Sequence, residues 1–313
     1  MAARSFTAAL RFGPGRHAKA CFPNDGRGFR QLDRWLKSHN AGLLRAGVES
    51  TNVYGQAVAT WLHAHGHEVH LLNPERTAHY ARAVGQVNKT DPADAALIAE
   101  YVALHRLTRW TPPSPEQHAL CGLTRTRHQL VTQALQLRNQ LRTAHAAAKP
   151  FLQATLRALL AQVRSLERAL AEHLRQHPDL GEQVRRLRTI KGVGPVTAAV
   201  AVAELPPVGP DSDPRALCAW AGLVPRRWQS GQLQLPGRLL RKGNVHLRQA
   251  LFLPAIVAAR HNPLFKAFAT TLRAKGKRPG AIAGALSHKL LRIMIGLLKT
   301  QTDFHPPALP SSS

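Results

Sequence analysis

Alternating and helical periodicities predict an α/β layer at the start of the chain. Residues 5–12 alternate apolar and polar positions with the period of a strand, and a Gly-Pro-Gly turn leads to a second strand at 17–22. Short apolar strands are also predicted at 43–49 and 68–72, each followed by a helical segment. Because strands that alternate with helices favour parallel pairing, we expect an α/β domain over residues 1–110.

Helical periodicity dominates the remainder of the chain. A proline-rich break at 111–115 ends the alternation of strands and helices. Beyond it, leucines near heptad spacing predict a long helical hairpin, or coiled coil, with a kink at Pro150; such a hairpin can be a spacer, a dimer seam or a nucleic-acid contact. We predict an α/β domain at 1–110, the hairpin at 111–180, a mainly α-helical domain at 181–302 and a disordered tail at 303–313.

A large positive charge points to a polyanionic partner. The 313 residues include 43 Lys and Arg against 17 Asp and Glu, a net charge of +26. Between Pro214 and Thr302 there are sixteen Lys or Arg and no acid. Each basic side chain that neutralises a phosphate adds affinity for nucleic acid, so we expect DNA or RNA as the partner. The residues of this stretch expected to contact it are Arg226, Arg227, Arg238, Arg241, Lys242 and Arg248.

The cysteines and the apolar runs argue against an extracellular or membrane-bound protein. Cys21, Cys121 and Cys218 are too few and too far apart for a disulfide framework or a zinc site of paired cysteines. No apolar run approaches the roughly 20 residues of a membrane span. The sequence therefore predicts a cytoplasmic protein without a membrane partner.

Three carboxylates are candidates for a magnesium site. Glu49 closes an apolar strand, and Asp91 and Asp94 lie three residues apart, on one face of a predicted helix. Carboxylates that converge from a strand end and a helix face can hold one or two Mg²⁺ ions. The alternative is that the two aspartates only complement the helix dipole and that Glu49 is a loop acid.

Two further motifs are candidates for contact with phosphate. Lys191, Gly192 and Gly194 stand in a turn similar to that of a helix-hairpin-helix, which can bind a phosphate or simply reverse the chain. Ser230 follows Arg-Arg-Trp-Gln and precedes a glycine in a polar turn. A serine there can attack phosphorus with nearby arginines stabilising charge, or it can belong to a tight turn without chemistry.

Long segments of the chain resemble one known family. The segments GVESTNVYGQAVATWL, NKTDPADAALIAEY, LRTIKGVGPVTAAVAVAEL and LCAWAGLVPRRWQSG closely resemble the bacterial insertion-sequence transposases with an N-terminal DEDD domain, a group that includes Piv-type and MooV-type DNA invertases. The resemblance covers nearly the whole chain in order. The KTDxxDA and QSG motifs, each in its relative place, make it specific.

The resemblance implies a fold, a mechanism and partners. It implies an N-terminal RNase H-like domain, similar to Holliday-junction resolvases, in which Glu49, Asp91 and Asp94 are the second to fourth members of an acidic tetrad that binds Mg²⁺. It implies that Ser230 attacks the DNA backbone and forms a phosphoserine link. It also implies assembly into dimers and tetramers through the helical hairpin and, as in some members, guidance by a structured RNA.

One tetrad position lies outside the sequence. In the resembling family the first tetrad Asp would align immediately before Met1. We therefore expect either that translation begins further upstream or that this is a truncated copy whose recombination is impaired while nucleic-acid binding survives. The two competing functions are a metal-dependent junction endonuclease, which hydrolyses DNA with water, and a non-catalytic nucleic-acid-binding remnant.

Overall fold

A computed structural model describes residues 4–49, 54–86, 90–230, 233–239 and 242–306, and within 225–239 it describes the backbone. The chain divides into two compact units, Met1–Pro112 and Pro113–Ser313. The division falls in the proline-rich segment at 111–115. The hairpin and the mainly helical region, predicted as separate domains, lie within one compact unit.

The first unit begins with the predicted β-hairpin. Strands β1 (Ser5–Gly13) and β2 (Arg16–Pro23) pair antiparallel, so that prediction is confirmed. Helix α1 (Gly26–Ser38) follows, and its N-terminus is capped because Asp25 accepts a hydrogen bond from the Gly28 backbone N–H at 2.8 Å. The apolar face of this helix packs on the hairpin. The buried side chains of this contact are Phe6, Leu10, Phe22, Leu32 and Leu36.

The rest of the first unit alternates strands and helices. Its elements are β3 (Arg45–Glu49), α2 (Tyr54–Ala64), β4 (Glu68–Leu72), α3 (Pro74–Ala83) and α4 (Asp91–Leu104). Strands β3 and β4 pair in parallel, as predicted. Among the described strands, the hairpin and the parallel pair are separate two-stranded sheets. The unit is thus α/β, while its RNase H-like character stays a prediction.

The Glu100 carboxylate binds helix α4 to the β1–β2 hairpin. Glu100 accepts hydrogen bonds from Arg11 Nε at 2.9 Å and from the Gly15 backbone N–H at 3.0 Å. His17 Nε2 lies 3.2 Å from the same carboxylate. The hairpin and the helix that begins at Asp91 are therefore tied together within this unit.

The second unit opens with the predicted helical hairpin. Helices α5 (Pro115–Thr143) and α6 (Lys149–Gln176) pack against each other across a short 3₁₀ turn at Ala146–Ala148. The predicted kink at Pro150 is wrong, because this proline stands in the first turn of α6, where a missing N–H leaves no hydrogen bond broken. The chain reverses before Pro150 instead of bending at it.

A helical core with one β-hairpin completes the second unit. Its elements are α7 (Pro178–Arg188), α8 (Pro195–Glu204), α9 (Pro214–Trp220), β5 (Pro225–Ser230), β6 (Leu233–Leu239), α10 (Val245–His261), α11 (Pro263–Ala274) and α12 (Pro279–Thr300). The polar turn predicted around Ser230 is corrected: the residues before Gly231 form a strand that pairs antiparallel with β6.

Helix α12 is the central helix of this core. Within the described part of the chain, α12 is the one helix that is long and apolar enough to cross a membrane, and most of it is buried inside the protein. Lys289 and Arg292 interrupt its apolar run in the sequence, which is why no membrane span was expected there. Burial of its apolar face within the second unit accounts for its composition.

Residues just after α12 are ordered against the core. Asp303 forms an ion pair with Arg185 at 2.8 Å, and the Phe304 backbone N–H donates to Thr189 Oγ1 at 2.9 Å. The prediction of a disordered tail from residue 303 is therefore corrected for 303–306. The remainder of that predicted tail lies outside the described residues.

Candidate functional site

Strand β3 and helix α4 meet at a glycine. A Cβ atom built on Gly47 would lie 2.4 Å from Val102 Cγ2 and 3.0 Å from Ile98 Cγ2, so a side chain at this position would prevent the contact. At the start of the strand, Arg45 Nη2 donates to the His105 backbone carbonyl at 3.4 Å. Strand β3 therefore runs antiparallel to α4. The strand begins near the C-terminal end of the helix, at His105, and continues towards the N-terminal end of the helix.

We call the contact line between β3 and α4, along Gly47, Ile98 and Val102, the seam. Its direction decides where the three candidate carboxylates lie. Glu49 is on the same face of β3 as Gly47, because strand side chains alternate. Two strand residues advance about 7 Å, the rise of four to five helical residues. Glu49 is thus level with the turn of α4 that carries Asp94. Asp91 and Asp94 continue the helical stripe of Ile98, so we expect the three carboxylates along one seam, although no contact between them is described.

Hydrogen bonds hold two of these carboxylates. The Thr77 hydroxyl in α3 donates to Glu49 Oε1, and Gln86 Nε2 donates to Asp94 Oδ1 at 3.0 Å. Asp91 is exposed in the first turn of α4, next to Thr90, whose hydroxyl caps the helix. Both aspartates therefore also complement the helix dipole. A role in the helix dipole and a role as metal ligands are compatible at these positions.

The donor set suits a hard cation. Carboxylate oxygens are the ligands that Mg²⁺ takes in proteins, and it keeps several waters in addition. Among the described residues, no three His, Cys, Asp or Glu side chains lie close enough together to form a ready metal cluster. Glu49, Asp91 and Asp94 thus form no such cluster, and a magnesium site at these residues stays a prediction.

The Gly47 contact gives a first prediction. In Gly47→Ala the new methyl group meets Val102, Ile98 and Leu72, and such overpacking typically costs about 1–3 kcal/mol. We expect the free energy of unfolding of the first unit to fall by that amount in urea titrations, with faster hydrogen exchange in β3 and α4. Gly42→Ala is the matched control, because nothing lies within 4 Å of the added atom. Equal stability of the two variants would refute the close contact.

Ser230 lies at the tip of the β-hairpin of the second unit. It is the last residue of β5, and its backbone pairs with that of Leu233 in β6. Arg226 and Arg238 face each other in the register of the same hairpin. Nothing is described of the side chains of Ser230, Arg226, Arg227 and Arg238, and Arg241 lies outside the described residues. The nucleophile and arginine assignments therefore stay predictions.

Both ends of this hairpin are fixed to one point of the core. Gly243, which follows β6, has φ +110°, and a Cβ atom there would lie 2.3 Å from the Trp220 backbone carbonyl. The Asn244 backbone N–H donates to the same carbonyl at 3.3 Å. Arg248, predicted to contact nucleic acid, donates to the Ala221 carbonyl at 3.0 Å instead of extending freely into solvent. Trp220, ahead of β5, and Gly243 and Asn244, beyond β6, are thus in contact at the end of α9.

The turn before α8 combines a structural glycine with an open helix end. Gly192 has φ +104°, and a Cβ atom would lie 2.9 Å from Ala258 Cα, so the fold requires glycine there. Gly194 caps α8 without a side-chain hydrogen bond, has open space around it, and is exposed, as is Lys191. The structural reading therefore holds for Gly192, while the α8 N-terminus has the form of a phosphate-binding end.

The sequence did not predict a group of residues next to the base of the β5–β6 hairpin, the contact of Gly243 and Asn244 with Trp220. Asn244, at the N-terminus of α10, bonds to the buried Glu204, which also binds Arg125 of the helical hairpin. The one signal in the sequence was an acid, Glu204, at the end of an otherwise apolar helix. Lys242, another predicted nucleic-acid contact, is exposed beside this base.

Two family models match the chain in order. The transposase model of the IS110 DEDD type matches residues 1–150, which include all three seam carboxylates. The model described as "Transposase IS116/IS110/IS902 family" matches residues 184–270, which include the turn before α8, the β5–β6 hairpin and α10. The two matches thus cover both candidate sites.

Curated relatives match over most of their own length. The "Pilin gene-inverting protein" of Moraxella bovis is 28% identical over 287 residues, which cover 90% of this chain and 89% of the relative. The protein of the same name in Moraxella lacunata gives the same figures. A "Probable family 20 transposase" of Pseudomonas aeruginosa is 28% identical over 278 residues, covering 77% of this chain and 80% of the relative.

These matches agree with the order of features along the chain. The carboxylate seam lies in the part that matches the DEDD transposase model, and the serine-bearing hairpin lies in the part that matches the second model. With relatives that align along most of the length of both proteins, the chain belongs to the IS110/IS116 family of transposases.

Proposed function

We propose that this transposase cuts and rejoins DNA with Ser230 as nucleophile and with Mg²⁺ at Glu49, Asp91 and Asp94. The observation that carries the proposal is the close contact of β3 with α4 at Gly47, since Glu49 ends that strand and Asp91 and Asp94 begin that helix. A structural acid needs no such placement, whereas a metal bound to phosphate does. The family membership supports DNA as the substrate.

The first unit supplies the charge chemistry. Mg²⁺ bound by these carboxylates would stabilise the negative charge that develops on the phosphate oxygens. Thr77 and Gln86 orient the carboxylates of Glu49 and Asp94 through their hydrogen bonds. The Gly47 contact fixes the distance between strand and helix and thus the spacing of the ligands.

The second unit supplies the covalent step. The Ser230 hydroxyl oxygen forms a bond to phosphorus while the bond from phosphorus to one DNA oxygen breaks, and the serine proton is lost as the departing oxygen gains one. One phosphoester replaces another, so the step needs no oxidant and no external energy source. Attack by a hydroxyl of a second DNA strand reverses it, frees Ser230 and joins new ends.

Charge and shape support the proposed partners. The acid-free stretch from Pro214 to Thr302 and the open N-terminus of α8 with Lys191 favour contact with the DNA backbone, and the same surface suits a structured guide RNA. The helical hairpin exposes Val131, Leu135 and Phe151, which supports a homo-oligomer assembled through it. We place this activity in the cytoplasm, where the DNA substrate lies.

The wild-type chain tests the proposal. The purified protein is incubated with Mg²⁺ and DNA that carries the ends of its insertion element, and the products are separated under denaturing conditions. We expect a covalent protein–DNA adduct that disappears when a chelator removes the metal. Cleavage without an adduct would favour the junction endonuclease. Salt-sensitive binding without any cleavage would favour the non-catalytic remnant.

A further inference from the structure

A carboxylate is buried at the centre of the second unit. Glu204 is 6% exposed and ends α8, in which every residue from Ala198 onward is buried. Removing a carboxylate from water costs several kcal/mol unless it is paired and hydrogen-bonded. This position therefore needs an explanation beyond solubility or chain reversal.

Partners from two elements, α5 and the N-terminus of α10, surround this carboxylate. Arg125 of α5 binds both oxygens, through Nε at 2.7 Å and Nη2 at 2.8 Å, and the Cys121 thiol lies 3.4 Å from Oε1. Asn244 Nδ2 donates to Oε2 at 2.7 Å. Burial acts to raise the pKa of Glu204, but the hydrogen bonds from Arg125 and Asn244 outweigh it and keep the pKa below its ordinary value. The carboxylate is thus ionised at neutral pH.

Asn244 has two separate tasks. Its Oδ1 accepts from the Leu247 backbone N–H at 2.9 Å and so caps α10, while its Nδ2 is committed to Glu204. The residue follows Gly243, whose backbone is pressed against the Trp220 carbonyl at the base of the β5–β6 hairpin. The bond to Glu204 therefore holds the point from which the serine-bearing hairpin projects.

We propose that Arg125, Glu204 and Asn244 form a positioning link by which the helical hairpin sets the placement of the β5–β6 hairpin. The proposal rests on the proposed role of Ser230, since β5 ends at that residue. The described part of the link is continuous: the α5 guanidinium binds the α8 carboxylate, and the carboxylate accepts from the amide of Asn244, whose backbone N–H donates to Trp220 ahead of β5. A shift of α5 during assembly or DNA binding thus reaches the serine-bearing strand through two charge-assisted contacts.

Two variants break the link at opposite ends. Asn244→Ser keeps an oxygen that can cap α10 but removes the donor to Glu204. Arg125→Lys keeps the charge but loses the two-pronged contact. The matched controls are Asn262→Ser, at the cap of α11, and Arg127→Lys, whose partner is Glu167 on α6. Neither control contacts Glu204 in the bonds described.

The first measurement is hydrogen exchange in the intact protein. We expect amides of residues 225–239 to exchange about tenfold faster in both Asn244→Ser and Arg125→Lys than in the controls, because the hairpin base is released. Unchanged exchange in either variant relative to its control would overturn the proposal. The Arg125→Lys variant is decisive, because Arg125 lies in α5 and the amides whose exchange is measured lie in the β5–β6 hairpin.

The second measurement is the rate of adduct formation at saturating DNA. We expect a fall of about tenfold or more for both variants, with the Kd for DNA within about twofold of wild type, because a misplaced nucleophile affects the chemical step and not docking. A change in Kd alone would overturn the positioning role. If the wild type forms no adduct but both variants still exchange faster than their controls, the link is confirmed and the activity proposed for this chain is rejected. The failure of the link and the failure of the proposed function are therefore distinguishable.

Discussion

Ser230→Ala is expected to lower DNA strand cleavage at least about a thousandfold and to remove the covalent adduct entirely. The nucleophile is the one group that the step cannot replace, because the new phosphoester forms on its oxygen. The loss of one hydroxyl at the tip of an antiparallel hairpin leaves the strand pairing and the base at Gly243 in place. Binding to DNA is therefore expected to stay within about twofold of wild type, since phosphate contacts dominate the affinity.

The control for this prediction is another serine of the second unit. Ser165→Ala removes an exposed hydroxyl from α6 and is expected to leave both adduct and cleavage unchanged. The assay follows radiolabelled DNA in denaturing gels together with a binding titration. Cleavage by Ser230→Ala at a rate near wild type, with products that carry free ends, would show that water is the attacking group and that the serine has only a structural place at the end of β5.

Local patterns sufficed to predict the strands of the first unit. The strands of the hairpin and the parallel pair depend on alternation and on the spacing of strand and helix, which are readable within a few residues. The seam itself was only partly readable. The spacing of Asp91 and Asp94 was evident, but the contact of Gly47 with Val102 joins residues 55 positions apart and leaves no mark in either segment.

Two features of the second unit, the β5–β6 hairpin and the partners of Glu204, could not be predicted from local patterns. The β5–β6 hairpin was missed because Arg226 and Arg227 interrupt its alternation, so a polar turn fitted the segment as well as a strand did. Glu204 was not predicted as a site because the residues that make it one come from elements 40 and 79 positions away. A buried charge is defined by its partners, and those are a property of the tertiary packing.

Asp94→Asn is expected to lower Mg²⁺-dependent cleavage by about a hundredfold or more. The change removes the negative charge that attracts the cation but keeps Oδ1, so the hydrogen bond that Gln86 Nε2 donates at 3.0 Å can persist. The apolar part of the seam, from Ile98 to Val102, is also untouched. The variant therefore separates the charge of the carboxylate from its place in the fold, which a change to alanine would not do.

Metal binding has to be measured apart from activity for this prediction to be decisive. Calorimetric titration with Mg²⁺ is expected to show at least about tenfold weaker binding for Asp94→Asn, because hard cations bind through charged oxygens. Asp33→Asn is the matched control, an acid of the same unit whose partner is Lys37 four residues on; it should bind metal and cut DNA like the wild type. Loss of cleavage with unchanged Mg²⁺ affinity would place Asp94 outside the metal site and leave it as a substrate contact. Unchanged cleavage would assign the carboxylate to the first turn of α4 alone, where its charge complements the helix dipole.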